Sequence, residues 1–203
     1  MRIKTTILIP ARMASTRFPG KPLAPIDGVP MIVYCAQNAQ KTGKKVFVCT
    51  DSREIDSVCS LYEIPSILTP EFNTGTDRIA YAVEKIDTDY VINLQGDEPL
   101  INSNSLKLMI KKLESLSQNS EEILSGISYV NSEQAFDPNV VKCALLHKDL
   151  SVQYFSRKPL LNCPENADNL PYLKQLGLYG MTKKTLMRFA SLSQGNLEKA
   201  EKV

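Results

Sequence analysis

A basic segment near the amino terminus carries the side chains with the clearest capacity for chemistry. Arg12, Arg17 and Lys21 lie within ten residues and are interleaved with Ala, Ser, Thr and Gly. Guanidinium forks and an ammonium supply positive charge, while hydroxyl and backbone N–H groups supply neutral donors. This combination suits a polyanion such as a triphosphate. A solvated basic loop is the alternative, because blocks of charge commonly lie on the surface.

Two further segments carry groups that could act on the same ligand. Gln95-Gly96-Asp97-Glu98 follows an apolar run, and an unpaired carboxylate is too costly to bury, so Asp97 is interpreted as a loop cap or a metal ligand. The segment Thr74-Gly75-Thr76-Asp77-Arg78 precedes a helical pattern and leaves backbone N–H groups available to an acceptor. Taken alone, this second segment indicates only a helix cap.

Buried strands that alternate with helices must position these three segments. Short apolar runs predict strands at 7–9, 46–49, 64–68 and 90–94. Apolar periodicity predicts helices at 31–39, at 53–62 (capped by Asp51 or Ser52), from Thr76 or Asp77 to Ile86, and at 103–116. Such alternation predicts an α/β fold with a mostly parallel sheet and helices on both faces. The basic, small-polar and acidic loops would then share the carboxyl edge of the sheet, where open α/β sheets bind ligands.

The rest of the chain predicts a small antiparallel extension. Strands are expected at 126–130, 140–146, 152–155 and 176–181, with 140–146 and 152–155 forming an antiparallel pair about Lys148-Asp149. The segment 158–171 is rich in proline and asparagine and is interpreted as an arm or loop. Helices are expected at 183–192 and from residue 197 onward.

Composition narrows the functional classes. A chain of 203 residues predicts one domain, and a net charge of +2 gives no argument for nucleic acid or an anionic membrane. No apolar run approaches the roughly eighteen residues of a membrane helix. One histidine and five cysteines without C-x-x-C spacing argue against a zinc site. The odd cysteine count and the lack of a secretory signal predict a cytoplasmic protein.

Several sequence motifs, taken in their order along the chain, closely resemble those of one protein family. Residues 9–23 read Ile-Pro-Ala-Arg-x-Ala-Ser-Thr-Arg-x-Pro-Gly-Lys-Pro-Leu. Further family-like motifs follow in order at 46–51, 74–78, 91–99, 137–142, 154–157, 176–179 and 197–201. Together they resemble the 3-deoxy-manno-octulosonate (KDO) cytidylyltransferases, also called CMP-KDO synthetases. Neither a Walker loop nor a G-x-G-x-x-G fingerprint is present, which argues against a dinucleotide-dependent oxidoreductase.

The resemblance implies a single nucleotidyltransferase domain spanning 1–203, with a Rossmann-like sheet of the nucleotide-diphospho-sugar transferase type. It implies a reaction of CTP with KDO that gives CMP-KDO and pyrophosphate for lipopolysaccharide biosynthesis. Mg²⁺ is the implied cofactor and a homodimer the implied assembly, its dimer region resembling the loop at 158–171. No nucleic-acid or membrane partner is expected.

The resemblance also assigns site residues. Those implied to contact the nucleotide are Ala11, Arg12, Ser15, Arg17, Lys21, Thr74 and Gly75. Those implied to act in catalysis are Arg17, Lys21 and Asp97, with Asp97 also binding the metal. Those implied to meet the sugar are Arg78, Gln95, Arg157, Gln175 and Glu198. An Arg fork suits the sugar's carboxylate.

Two departures from the family pattern leave alternatives open. Gln175 stands where the family often has histidine, which leaves room for a modified octulosonate. The family also carries a second metal-binding Asp in a carboxyl-terminal segment that this chain is expected to lack. A single carboxylate would hold Mg²⁺ more loosely, so weak activity or none is an alternative for this chain. The alternative functions are therefore a cytidylyltransferase for a modified KDO or another acidic sugar, and a catalytically silent nucleotide-binding homologue.

Overall fold

The computed structural model describes residues 3–14, 18–146, 149–159 and 172–201. The chain packs as two compact units. The first unit comprises residues 1–124 and 177–191, and the second comprises 125–176 and 192–203. A single long strand, β10 (Tyr172–Thr182), contributes residues to each unit.

The first unit is built on a mostly parallel sheet, as predicted. Its parallel strands are β1 (Thr5–Ala11), β4 (Lys45–Thr50), β5 (Ser66–Leu68) and β6 (Tyr90–Leu94), in the spatial order β5-β4-β1-β6. The end of β10, from Leu178 to Thr182, pairs antiparallel with β6. Every residue of β1 and β6 is buried, which explains why both strands read as continuous apolar runs. A two-stranded hairpin, β2 (Pro25–Ile26) and β3 (Val29–Pro30), follows the basic segment.

Helices cover both faces of this sheet. They are α1 (Met31–Gln40), α2 (Arg53–Leu61), α3 (Gly75–Val83), α4 (Ser103–Glu114) and α6 (Lys183–Ala190). On one face, Leu8 and Val91 pack in a buried cluster with Ile79 of α3 and Leu186 of α6. On the opposite face, α4 lies over Gly180 of β10. Among the helices that the structure describes, none is both long enough and apolar enough to cross a membrane.

Side-chain caps set where the helices begin. Ser52 Oγ accepts a hydrogen bond from the Ile55 N–H at 3.3 Å, so Ser52, one of the two predicted caps, starts α2. The predicted start of α3 at Thr76 or Asp77 is wrong. The helix begins at Gly75 because Thr74 Oγ1 accepts the Asp77 N–H at 3.0 Å.

The second unit contains the predicted antiparallel extension. Its elements are β7 (Leu124–Val130), α5 (Ser132–Phe136), β8 (Lys142–Leu145), β9 (Val152–Ser156), the first part of β10, and α7 (Asn196–Glu201). β8 and β9 pair antiparallel, which confirms the predicted pair. β10 starts at Tyr172, earlier than the predicted 176, since Lys174 pairs with Lys142 of β8. Most of the predicted loop at 158–171 lies outside the described residues.

Candidate active site

The carboxyl ends of β1 and β6 bring the basic and acidic segments together. These strands are parallel neighbours, so the chain leaves both at the same edge of the sheet. Lys21 Nζ lies 2.9 Å from Asp97 Oδ2. The two side chains are 37% and 55% exposed, so both remain accessible to a ligand. An ion pair this exposed adds little stability, and a bound polyanion or cation could therefore separate it at small cost.

The amino end of α3 packs directly on the loop that follows β1. Arg12 Nη1 donates to the Asn73 carbonyl at 3.3 Å. A Cβ added at Gly75 would lie 3.0 Å from Cγ of Pro10, so only glycine allows this approach without a shift. Thr74 is occupied as the cap of α3. The first turn of a helix, with its unpaired backbone N–H groups, therefore adjoins the basic segment, as a phosphate or nucleotide site requires.

Gln95 is oriented by a buried amide that the sequence analysis did not single out. Its Nε2 donates to Oδ1 of Asn93 at 3.1 Å. Asn93 is fully buried in β6, and its Nδ2 has no hydrogen-bond partner among the described residues. The sequence does carry a signal for the role of Asn93, since it is a polar residue within an otherwise apolar strand. Burying a polar side chain is costly unless it is hydrogen-bonded.

Arg78 is an internal anchor in this structure. Its side chain is buried, and Nη2 lies 2.6 Å from Oδ2 of Asp51 while Nη1 donates to Thr69 Oγ1 at 2.6 Å. These bonds tie α3 to the ends of β4 and β5. Asp51 serves as this partner and not as the helix cap that the sequence suggested. A sugar could reach the guanidinium only after some of these bonds had opened, so the sugar-binding role of Arg78 stays a prediction.

A separate polar network in the second unit surrounds Arg157. Its backbone N–H donates to Glu201 Oε2 at 2.9 Å and its Nε donates to the Glu201 carbonyl at 2.7 Å. The Tyr154 hydroxyl donates to Glu201 Oε1 at 3.0 Å. The hydrogen bonds from Arg157 and Tyr154 lower the pKa of Glu201. Glu201 was missed as a partner, since nothing in the sequence indicates which acid of the last helix faces Arg157.

The other two predicted sugar contacts lie in the second unit with Arg157. Glu198 Oε2 accepts the Gly195 N–H at 3.2 Å, a bond typical of the first turn of a helix. Gln175 is half-buried on β10, and its backbone N–H donates to the Val141 carbonyl at 2.9 Å. Ser15 and Arg17 lie outside the described residues. The structure thus groups Arg12, Lys21, Gly75, Gln95 and Asp97 at one sheet edge of the first unit.

Lys142 is a buried lysine that binds the backbone beside Arg157. It is 2% exposed, and its ammonium donates to the carbonyls of Asp137 at 3.0 Å, Val140 at 2.7 Å and also Arg157. Burial lowers the pKa of Lys142 below its ordinary value of 10.5. The motif 137–142, for which the sequence offered no role, therefore closes around a buried cation.

Lys142→Met is expected to lower the free energy of unfolding by about 2 kcal/mol at neutral pH. Carbonyls left without a donor cost about 1–3 kcal/mol each, and removing a buried charge offsets part of that loss. Because the folded-state pKa of Lys142 lies below 10.5, the unfolded chain binds more protons between the two values. The stability advantage of the wild type should therefore grow as the pH rises toward 10.5.

Urea denaturation of both proteins at several pH values measures this difference. Lys158→Met, at an exposed position, is the matched control and should change the unfolding free energy by less than about 0.5 kcal/mol. An advantage that shrinks with rising pH would contradict the assignment of Lys142 as a buried, desolvated ammonium.

Comparison with known proteins agrees with this architecture. Cationic and acidic loops at the carboxyl edge of a parallel sheet lie where proteins of the open α/β class bind their ligands. The cytidylyltransferase family matches residues 6–203, and the chain belongs to that family. Two relatives, from Shewanella baltica and Shewanella oneidensis, are named 8-amino-3,8-dideoxy-manno-octulosonate cytidylyltransferase. Each is 39% identical over 207 residues, which cover 99% of this chain and 84% of the relative.

Solved structures show the same fold. A CMP:2-keto-3-deoxy-manno-octonic acid synthetase complexed with CTP is 30% identical and superposes with a TM-score of 0.86, covering 98% of this chain and 83% of that one. A cytidylyltransferase from Leptospira borgpetersenii, 21% identical with a TM-score of 0.62, covers 97% of this chain and 68% of its own. The second likeness shows the fold alone.

Proposed function

We propose that this protein transfers CMP from CTP to KDO and releases pyrophosphate, and that the product feeds lipopolysaccharide biosynthesis. The observation that carries the proposal is the 2.9 Å contact of Lys21 with Asp97 at the carboxyl edge of the sheet. In this proposal Lys21 is the cation that binds phosphate and Asp97 is the acid that binds the metal. The likeness to a CTP-bound synthetase, at 30% identity, supports CTP as the nucleotide.

The first unit's residues would act mainly by binding and charge compensation. A hydroxyl oxygen of the sugar attacks the α-phosphorus of CTP, and the hydroxyl proton passes to solvent. The bond from the α-phosphorus to the oxygen that bridges it to the β-phosphate breaks, and pyrophosphate leaves with the electron pair. Lys21 and Arg12 would offset negative charge on the phosphates, and Arg17 is assigned the same role by the family resemblance. Gln95, oriented by Asn93, would present a polar group to a sugar hydroxyl.

The residues present fit a magnesium ion shared with the substrate. Within the described parts of the chain, no three His, Cys, Asp or Glu side chains are grouped to hold a metal by themselves. Mg²⁺ is typically held by one or two carboxylates together with substrate phosphates, and the exposed carboxylate of Asp97 supplies such a ligand. When bound, the ion would neutralise charge on the phosphates during phosphoryl transfer.

A modified sugar is the second candidate substrate. The two Shewanella relatives carry names that specify the 8-amino-3,8-dideoxy form of the octulosonate, and each covers nearly this whole chain. Gln175, in place of the family's frequent histidine, supports a different sugar contact. The sugar-binding roles of Arg157, Gln175 and Glu198 belong to this proposal.

One assay separates the candidates. The protein is mixed with CTP and Mg²⁺, and pyrophosphate release is followed with KDO, with 8-amino-3,8-dideoxy-manno-octulosonate and with N-acetylneuraminate. A higher kcat/KM with one octulosonate identifies the substrate. Release with N-acetylneuraminate alone indicates another acidic sugar, and CTP binding without turnover indicates a silent homologue. Light scattering on the same sample tests the proposed homodimer.

A further inference from the structure

The loop that carries Asp97 is fixed by a neighbouring carboxylate, Glu98. Its Oε1 accepts the backbone N–H of Gly177 at 2.8 Å. The Gly177 carbonyl in turn accepts the backbone N–H of Gln95 at 2.7 Å. Both ends of the loop 95–98 are therefore bonded to one glycine of β10, while the exposed Asp97 between them contacts Lys21.

Close packing holds the same loop against this glycine. A Cβ at Gly177 would lie 2.7 Å from Cβ of Gln95, closer than real Cβ atoms come, and 3.1 Å from Cγ of Glu98, which is tighter than most such contacts. A Cβ at Gly96 would lie 2.9 Å from the Pro10 carbonyl oxygen. Glycines at 96 and 177 are therefore what allow the loop to lie so close to β10 and to Pro10.

The thiol of Cys35 supports the loop from α1. Its Sγ lies 3.8 Å from the carbonyl oxygens of both Gln95 and Glu98. Burial raises the pKa of Cys35 to about 12, so the sulfur keeps its proton and can donate weakly to these carbonyls.

We propose that Glu98 is a positioning residue for the metal site: by holding the Gly177 N–H it fixes the loop so that Asp97 faces Lys21. The inference rests on the proposed function, in which Asp97 binds Mg²⁺ with the phosphates of CTP. Preorganised ligands bind a metal more tightly because the loop loses little freedom on binding, and residues that orient a ligand typically affect metal affinity by about 10- to 100-fold.

The test measures metal binding directly. Electron paramagnetic resonance measures how tightly Mn²⁺ binds to the full chain in the presence of CTP. Separate measurements give kcat, the Mg²⁺ concentration at half-maximal rate, and the midpoint of thermal unfolding. Glu98→Ala should raise the Mn²⁺ dissociation constant by about tenfold or more. Glu98→Gln keeps an oxygen acceptor for the Gly177 N–H and should stay within about threefold of the wild type. Glu71→Ala, at an exposed position, is the control.

Gly177→Ala is a second variant that should disturb the same loop. It leaves the Gly177 N–H in place but inserts a Cβ against Gln95, and should weaken Mn²⁺ binding as Glu98→Ala does. If Glu98→Ala fails to fold, this variant decides the question. Unchanged Mn²⁺ affinity, with or without a lower thermal midpoint, overturns the positioning role, as does a Glu98→Gln variant impaired as much as Glu98→Ala. If the wild type binds Mn²⁺ with CTP but turns over no sugar, the proposed function fails while the positioning role is still tested.

Discussion

Replacing Asp97 with asparagine is expected to lower kcat about a thousandfold while leaving metal-free CTP binding within about threefold of the wild type. The amide keeps the size of the side chain but loses the charge that a hard cation requires. Lys21, released from its contact with Asp97, stays available to the phosphates, so the nucleotide is still held. Steady-state kinetics and calorimetric titration of CTP with and without Mg²⁺ give the two quantities.

Asp87→Asn is the matched control for this experiment. Asp87 is 83% exposed and pairs with Lys4, so the same loss of one charge should leave kcat within about twofold. A normal rate for Asp97→Asn would exclude the metal role, and with it the mechanism. Equal losses of kcat and metal-free CTP affinity would show that Asp97 acts on the nucleotide and not through a metal.

Arg78→Met is expected to have the largest effect on stability, a loss of about 3–5 kcal/mol in the free energy of unfolding. The guanidinium pairs with Asp51 at 2.6 Å, with the two side chains only 2% and 23% exposed. Its removal leaves the Asp51 carboxylate and the Thr69 hydroxyl without their donor at two partly buried positions. Urea denaturation measures the loss.

The control is the same substitution at an exposed ion pair. Arg188 pairs with Glu121, and their side chains are 62% and 68% exposed, so Arg188→Met should cost less than about 1 kcal/mol. Similar costs for the two variants would mean that Arg78 is not an anchor.

The central sheet could be predicted from the sequence because the signals for its strands are local. The runs at 7–9 and 46–49 are apolar on both faces, and the run at 90–94 is too except for Asn93. This pattern is typical of buried parallel strands, and each run forms one. Parallel strands place the loops after β1 and β6 at the same edge of the sheet, and the contact of Lys21 with Asp97 shows that these two segments converge.

The remaining details depend on partners distant in the chain. Arg78 looks like part of a ligand-binding motif, and only the fold reveals that Asp51 and Thr69 enclose it. Glu98 looks like a second acid beside Asp97, yet its partner is the backbone of Gly177. Periodicity shows which side chains are apolar, but it does not show which polar atoms from different strands will meet.

The contact of Gly75 with Pro10 has an evolutionary consequence. A Cβ at position 75 would lie 3.0 Å from Cγ of Pro10, so a larger residue there needs the proline ring to shift or a smaller residue at position 10. The effect of a larger residue at position 75 should therefore depend on which residue occupies position 10. Among sequences that diverge from this one, the end of the first strand and the start of α3 are expected to change together.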